Sequence, residues 1–182
     1  MEAGMGKIRI VVLLLVTLFT LSGCDSGDSA SLNWGSRAFE CEISWERGGE
    51  HIRAVLICGE GVAGERDISL RFEEPRAMRD ICVIRESGVL RAELDGVTVN
   101  TGNLEGWLDI EYIFDTEGDI SYLSSDMLDG EATDRILLRR TDGGESEIYL
   151  SRSTELPVRI ITRTDFANID ARIIYFSEKT EM

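Results

Sequence analysis

Between Phe39 and Cys58 the chain alternates apolar and polar residues with a period of two on both sides of a Gly-Gly pair, and no other feature narrows its folding choices as far. Phe39, Cys41, Ile43 and Trp45 point one way, and Glu40, Glu42, Ser44 and Glu46 the other. Such a segment is a strand with one face buried. Arg47-Gly48-Gly49-Glu50 follows, and a two-residue Gly-Gly loop suits the tight turns that join hairpin strands. Pairing Arg47 with Glu50 sets Trp45 opposite Ile52, Ile43 opposite Ala54, Cys41 opposite Leu56 and Phe39 opposite Cys58. Every opposed pair on that face is apolar, so turn and pattern specify the same register.

The same grammar recurs down the chain. Ile68, Leu70 and Phe72 alternate up to Glu73-Glu74-Pro75, and Arg76 to Asp80 reads as a short helical turn after the proline. Residues 81–86 and 89–94 flank Ser87-Gly88, and Asp95-Gly96 turns the chain into Val97-Thr98-Val99. Residues 135–140 and 145–152 flank Asp142-Gly143-Gly144; a three-residue loop there would pair Leu138 with Ile148 and Ile136 with Leu150. Residues 158–163 and 171–176 supply two more strands. One stretch breaks the rhythm: Leu104, Trp107, Leu108 and Tyr112 recur at helical spacing, and Tyr122, Leu123 and Leu128 continue it after Gly118. These predict helices over about 104–115 and 119–128. A sheet with one greasy face must bury it under a second layer, and the helices are the available cover. The expected class is α+β, mainly antiparallel β: an open half-barrel meander sheet covered by two or three short helices.

Ahead of the alternating region stand Lys7 and Arg9, an apolar run from Ile8 to Leu21, the small pair Ser22-Gly23, and Cys24. Val11 to Leu21 is shorter than the roughly 20 residues of a spanning helix, and the Ala-x-Ala-like end of an ordinary secretory signal is absent. Leu21-Ser22-Gly23-Cys24 resembles the recognition motif of bacterial lipoprotein signals. That resemblance implies cleavage before Cys24, a diacylglycerol on its sulfur, and an extracytoplasmic protein anchored to the cell membrane. It divides the chain into a signal peptide (1–23), a flexible lipidated tether (24–38) whose polar Asp25–Arg37 segment lacks periodicity, a single domain (39–177) and a short tail (178–182). Trp34 is the one large aromatic of the tether, and it marks either a first contact with the folded body or an exposed ring near the membrane.

Removing Lys7, Arg9 and Glu2 with the signal leaves 17 basic against 33 acidic side chains, a formal charge of −16. Phosphate backbones are bound by clustered Lys and Arg, so nucleic acid is excluded as a partner. An anionic lipid surface also repels such a body, and anchoring falls to the covalent lipid.

The segment Leu70-Arg71-Phe72-Glu73-Glu74-Pro75-Arg76-Ala77-Met78, which is a strand, a proline and a helical turn before a meander, and the segment Glu155-Leu156-Pro157-Val158-Arg159-Ile160, which opens the penultimate strand, resemble the lipoprotein-sorting carrier (LolA-like) superfamily. The likeness spans residues 39–177 by element order more than by identity. It implies an open half-barrel whose concave face is covered by short helices. Small lipid-anchored members in spore-forming Gram-positive bacteria include a germination type that acts through a cell-wall amidase. The prominent amino-terminal helix of the carriers has no counterpart before Phe39.

The inventory for catalysis is thin. His51 is the single histidine and lies on the outward side of the first hairpin. No nucleophile elbow, Ser-x-x-Lys pair or phosphate-binding glycine loop is present, and zinc has too few ligands. Asp126, Asp129, Glu131 and Asp134 are close in sequence but lack the spacing of a calcium loop. Cys41 and Cys58 share a face but sit diagonally, which disfavours the Cα separation of about 5.5 Å that a disulfide prefers; Cys41, Cys58 and Cys82 are expected as free thiols. No catalytic residue, metal or cofactor is expected. The expected function is non-enzymatic binding, either holding an apolar ligand or docking an envelope protein, with regulation of an envelope enzyme such as a cortex or wall amidase as the alternative. Trp107, Leu108 and Tyr112 are the candidate ligand or partner face, and core packing is the simpler account of their spacing.

Overall fold

A period-two chain must pair its strands, and this one pairs all of them into one sheet. The structure, a computed structural model, describes residues 32–99, 105–141, 143–164 and 168–179. Leu21, Ser22, Gly23 and Cys24 lie outside the described residues, as do Leu104 and Asp142. The strands are β1 (Phe39–Arg47), β2 (Glu50–Cys58), β3 (Ile68–Glu74), β4 (Cys82–Glu86), β5 (Val89–Leu94), β6 (Val97–Val99), β7 (Asp119–Leu128), β8 (Glu131–Arg139), β9 (Glu145–Ser151), β10 (Pro157–Arg163) and β11 (Asn168–Glu178). Their order in the antiparallel sheet is β6-β5-β4-β3-β2-β1-β11-β10-β9-β8-β7. Two meanders are thus joined through β1 and β11, and the sheet stays open, with β6 and β7 as its edges. Because β6 and β7 are consecutive in sequence but lie at opposite edges, the chain between them has to cross the sheet. That crossing carries the helical cover.

The first hairpin has the register expected from Gly48-Gly49, with Trp45 opposite Ile52 and Phe39 opposite Cys58. The later hairpin does not. Ile136 pairs with Ile148 and Leu138 with Ser146, two residues from the expected register, and the loop is five residues, closed by the Arg140 N–H to the Gly144 carbonyl at 2.9 Å. The shift keeps the same side chains inward. What apolar matching could not anticipate is that Ser146, buried, satisfies its hydroxyl against Thr162 at 2.9 Å.

The helical content is lower than expected. The first helix is one α-turn, α1 (Glu105–Leu108), continued by a 3-10 segment at Asp109–Phe114, and residues 76–78 form a single 3-10 turn. The helix expected at 119–128 is strand β7. The expectation rests on Tyr122, Leu123 and Leu128; in the strand Leu123 sits at a bulge between Tyr122 and Ser124, and Leu128 pairs with Glu131. The Asp129-Gly130 turn, with both residues at positive φ, then returns the chain as β8.

One face of the sheet is capped. Phe39, Cys41, Ile43, Leu56, Leu70, Phe72, Ile148 and Ile160 are buried there beneath Leu108, Ile110, Ile113 and Phe114. The packed body begins at Leu32, inside the stretch expected as tether: Leu32 and Trp34 are buried, and the Trp34 ring meets Phe114 and Phe176 edge-on at 6.0 and 5.8 Å. Phe39 completes the cluster, 4.9 Å from Phe114 and stacked on Phe176 at 5.0 Å. An indole loses more by exposure than a polar tether gains in freedom, so the chain is held from this point. The uncapped face carries arginine–carboxylate pairs, among them Arg53–Glu42, Arg135–Glu147 and Arg159–Asp170.

Candidate functional site

Trp107, Leu108 and Tyr112 do not form one face. Leu108 is 3% exposed and belongs to the core. Trp107, half-buried at the rim, sets its ring edge against Phe72 at 5.1 Å and lies under the Arg47 guanidinium, 4.3 Å from the ring centre. Arg47 also donates to the Gly106 carbonyl at 2.5 Å, so the first hairpin turn grips α1. Tyr112 is 44% exposed and turns away from the sheet toward the loop between β2 and β3. Its hydroxyl would be 2.8 Å from a β-carbon at Gly64, whose φ of +90° is also one that only glycine adopts easily.

The cover is fastened by a residue that the sequence did not single out. Glu111 is fully buried, an unusual position for a carboxylate. Arg85 on β4 donates from Nη2 to both of its oxygens at 2.7 Å, Arg66 places Nε 3.6 Å from Oε2, and the Gly64 N–H donates to Oε1 at 2.9 Å. Arg66, also buried, donates to the Gly35 carbonyl at 2.7 Å, and Arg85 to the Arg66 carbonyl at 3.0 Å. One carboxylate and two guanidiniums thereby join the 3-10 segment, the β2–β3 loop, the turn after Leu32 and strand β4. The partners lie 45 and 26 residues away from Glu111, so no local spacing announces them. A charge interrupting Ile110, Ile113 and Phe114 was the only signal available.

Two of the three described thiols, Cys41 and Cys58, are buried, and Cys82 is half-buried. Cys41, Cys58 and Cys82 are free, as the diagonal placement in the hairpin implies. Burial pushes the Cys58 thiol up to about 12 and Cys41 well above its ordinary value. His51 is exposed, 3.9 Å from Glu74, on the hairpin's outer side. Among the described residues no three His, Cys, Asp or Glu side chains are placed to hold a metal ion. An open hollow of about 390 Å³ lies on the uncapped side, lined by Arg53, Arg71, Glu73, Glu74, Arg79 and Asp80. Its lining is charged throughout, which suits neither a fatty chain nor a dry catalytic cleft.

Among the described residues, the contact between the cap and the sheet is made by buried apolar side chains. Ile113 and Phe114 are fully buried against Phe39 and its neighbours, and Leu108 and Ile110 nearly so. Besides Tyr112, the exposed apolar side chains include Tyr122, Leu123 and Met127 on β7.

No family model matches the chain, and no curated protein matches it. Among solved structures it is similar to an uncharacterized conserved protein from Thermus thermophilus, at 11% identity over 84% of this chain and 85% of that one, with a TM-score of 0.49. It is similar to MucB of Pseudomonas aeruginosa at 13% identity over 87% of this chain, with a TM-score of 0.48, and it spans 60% of the MucB chain. It is also similar to the Mycobacterium tuberculosis lipoprotein LppX, at 8% identity over 84% of this chain and 93% of that one, with a TM-score of 0.47.

Proposed function

We propose that this protein is an extracytoplasmic, non-enzymatic docking protein, anchored through a diacylglycerol on Cys24 after removal of residues 1–23, and that it recognises a partner protein of the cell envelope with its outer surface. The observation that carries this reading is the burial of Leu108, Ile110, Ile113 and Phe114 against the sheet. A carrier keeps an apolar space of roughly 300 Å³ or more for its ligand, and the burial of these four side chains against the sheet favours docking over carrying. Recognition then falls to the exposed residues. Regulation of an envelope enzyme, the role implied by the likeness to germination lipoproteins, is one form of such docking.

Fluorescent fatty acid titrated into the full chain carrying Cys24→Ala tests the choice between docking and carrying. Fluorescence is expected to rise without saturation, as with a protein lacking a site. Saturable binding at one molecule per chain, lost in Trp107→Ala, would make the protein a carrier and end the docking reading.

A further inference from the structure

Sheet edges are where an open sheet is chemically unfinished, because each edge strand presents a row of unpaired N–H and C=O groups. The two edges here are unlike. β6 is three residues long, a length that by itself discourages pairing, while β7 has ten. Of the usual edge guards, β7 has no Lys, Arg or Pro, since Asp119–Leu128 contains none of them. The bulge at Tyr122 is its one irregularity, leaving a run from Ser124 to Leu128 in regular pairing with β8.

The side chains beside this edge are apolar on the capped side and acidic around it. Tyr122 is 61% exposed and Met127 64%. Between them the Tyr122 hydroxyl meets Ser125 at 2.5 Å, and Ser125 donates to Asp134 at 3.0 Å, so the hydroxyls are satisfied within the sheet. Five carboxylates lie on β7, β8 and the turn between them: Asp119, Asp126, Asp129, Glu131 and Asp134. The neighbouring arginines are already engaged: Arg135 by Glu147, Arg139 by Glu145 and Arg152 by Asp134. Asp119, Asp126 and Glu131, in contrast, make no ion pair among the described residues. The strand edge therefore has beside it three carboxylates that make no ion pair among the described residues.

We infer that the β7 edge binds an extended, basic segment of a partner protein, which adds as a further strand, laying apolar side chains against Tyr122 and Met127 and directing Lys or Arg toward Asp119, Asp126 and Glu131. The inference rests on the docking reading and says where and by what chemistry docking occurs. Main-chain pairing supplies affinity in such strand addition, side chains choose the sequence, and the charge complementarity speeds encounter.

The test uses the full mature chain in a non-ionic detergent and synthetic peptides of about ten residues, the length of β7: alternating Lys and Val, the same with two central Val replaced by Pro, and alternating Glu and Val. The Lys–Val peptide is expected to bind saturably and to slow amide exchange in residues 119–128. The Pro peptide, equally charged but unable to pair, and the Glu–Val peptide are expected to bind at least about tenfold more weakly. A double variant, Asp119→Lys with Asp126→Lys, alters only exposed side chains and is expected to weaken the Lys–Val peptide by a similar factor. Equal binding of the Pro peptide would reduce the effect to adsorption of a polycation, and protection outside 119–128 would move the site; either overturns the inference, as does absence of binding. The two readings fail separately: a partner crosslinked in cells equally by wild type and the double variant removes the β7 site and leaves docking, whereas saturable fatty-acid binding removes docking itself.

Discussion

Glu111 is a single charge on which four pieces of chain depend. Burying a carboxylate costs several kcal/mol, and it is recovered only because Arg85, Arg66 and the Gly64 N–H all reach the same two oxygens. Glu111→Gln keeps the shape and one acceptor oxygen but leaves two arginines facing a neutral group, Arg66 with no exposed atoms in its side chain. Urea denaturation is expected to show a loss of about 3–5 kcal/mol. A loss below about 1 kcal/mol would mean that water reaches the guanidiniums and that the clasp is not structural.

At the scale of the element, the cover is a short α-turn and a 3-10 segment, too short to be helical in isolation. It holds its shape through what it packs on. Phe114 is wholly buried among Trp34, Phe39 and Phe176, while Trp107 lies at the rim with one side toward Arg47. Phe114→Ala is expected to cost about 3–5 kcal/mol by denaturation and Trp107→Ala about 1–3 kcal/mol, because a rim residue leaves no closed cavity behind. The reverse order would place the core of the cover at α1 instead of at the 3-10 segment. The β7 segment teaches the complementary lesson. Tyr122, Leu123 and Leu128 fit the spacing of a helix, and pairing with β8, with a bulge at Leu123, outweighed that local pattern.

For the whole molecule, charge and anchor belong together. With residues 1–23 removed as proposed, the body has a formal charge of −16 and is repelled by anionic lipid, so residence at a membrane would depend on the acyl chains proposed for Cys24. Cys24→Ala is expected to move the protein from the membrane fraction to the soluble extracytoplasmic fraction, followed by fractionation and immunoblotting. Full retention on membranes with normal processing would show that something other than the lipid holds it.

The first hairpin, the meander from Ile68 to Val99 and the closing strands were legible in the sequence, because a period of two and a glycine turn are local and each confirms the other. The free state of Cys41 and Cys58 followed from that register alone. What only the tertiary structure decided is whatever depends on residues far apart in the chain. The crossing from β6 to β7 and the two edges it creates, the choice of Ser146 with Thr162 over an apolar match, and the meeting of Glu111 with Arg66 and Arg85 all involve side chains with no shared periodicity. A strand reports in its own sequence which face it buries. Which strand lies at the edge, and which charge finds a partner, is set by the closing of β11 on β1, and that pairing joins residues more than a hundred positions apart.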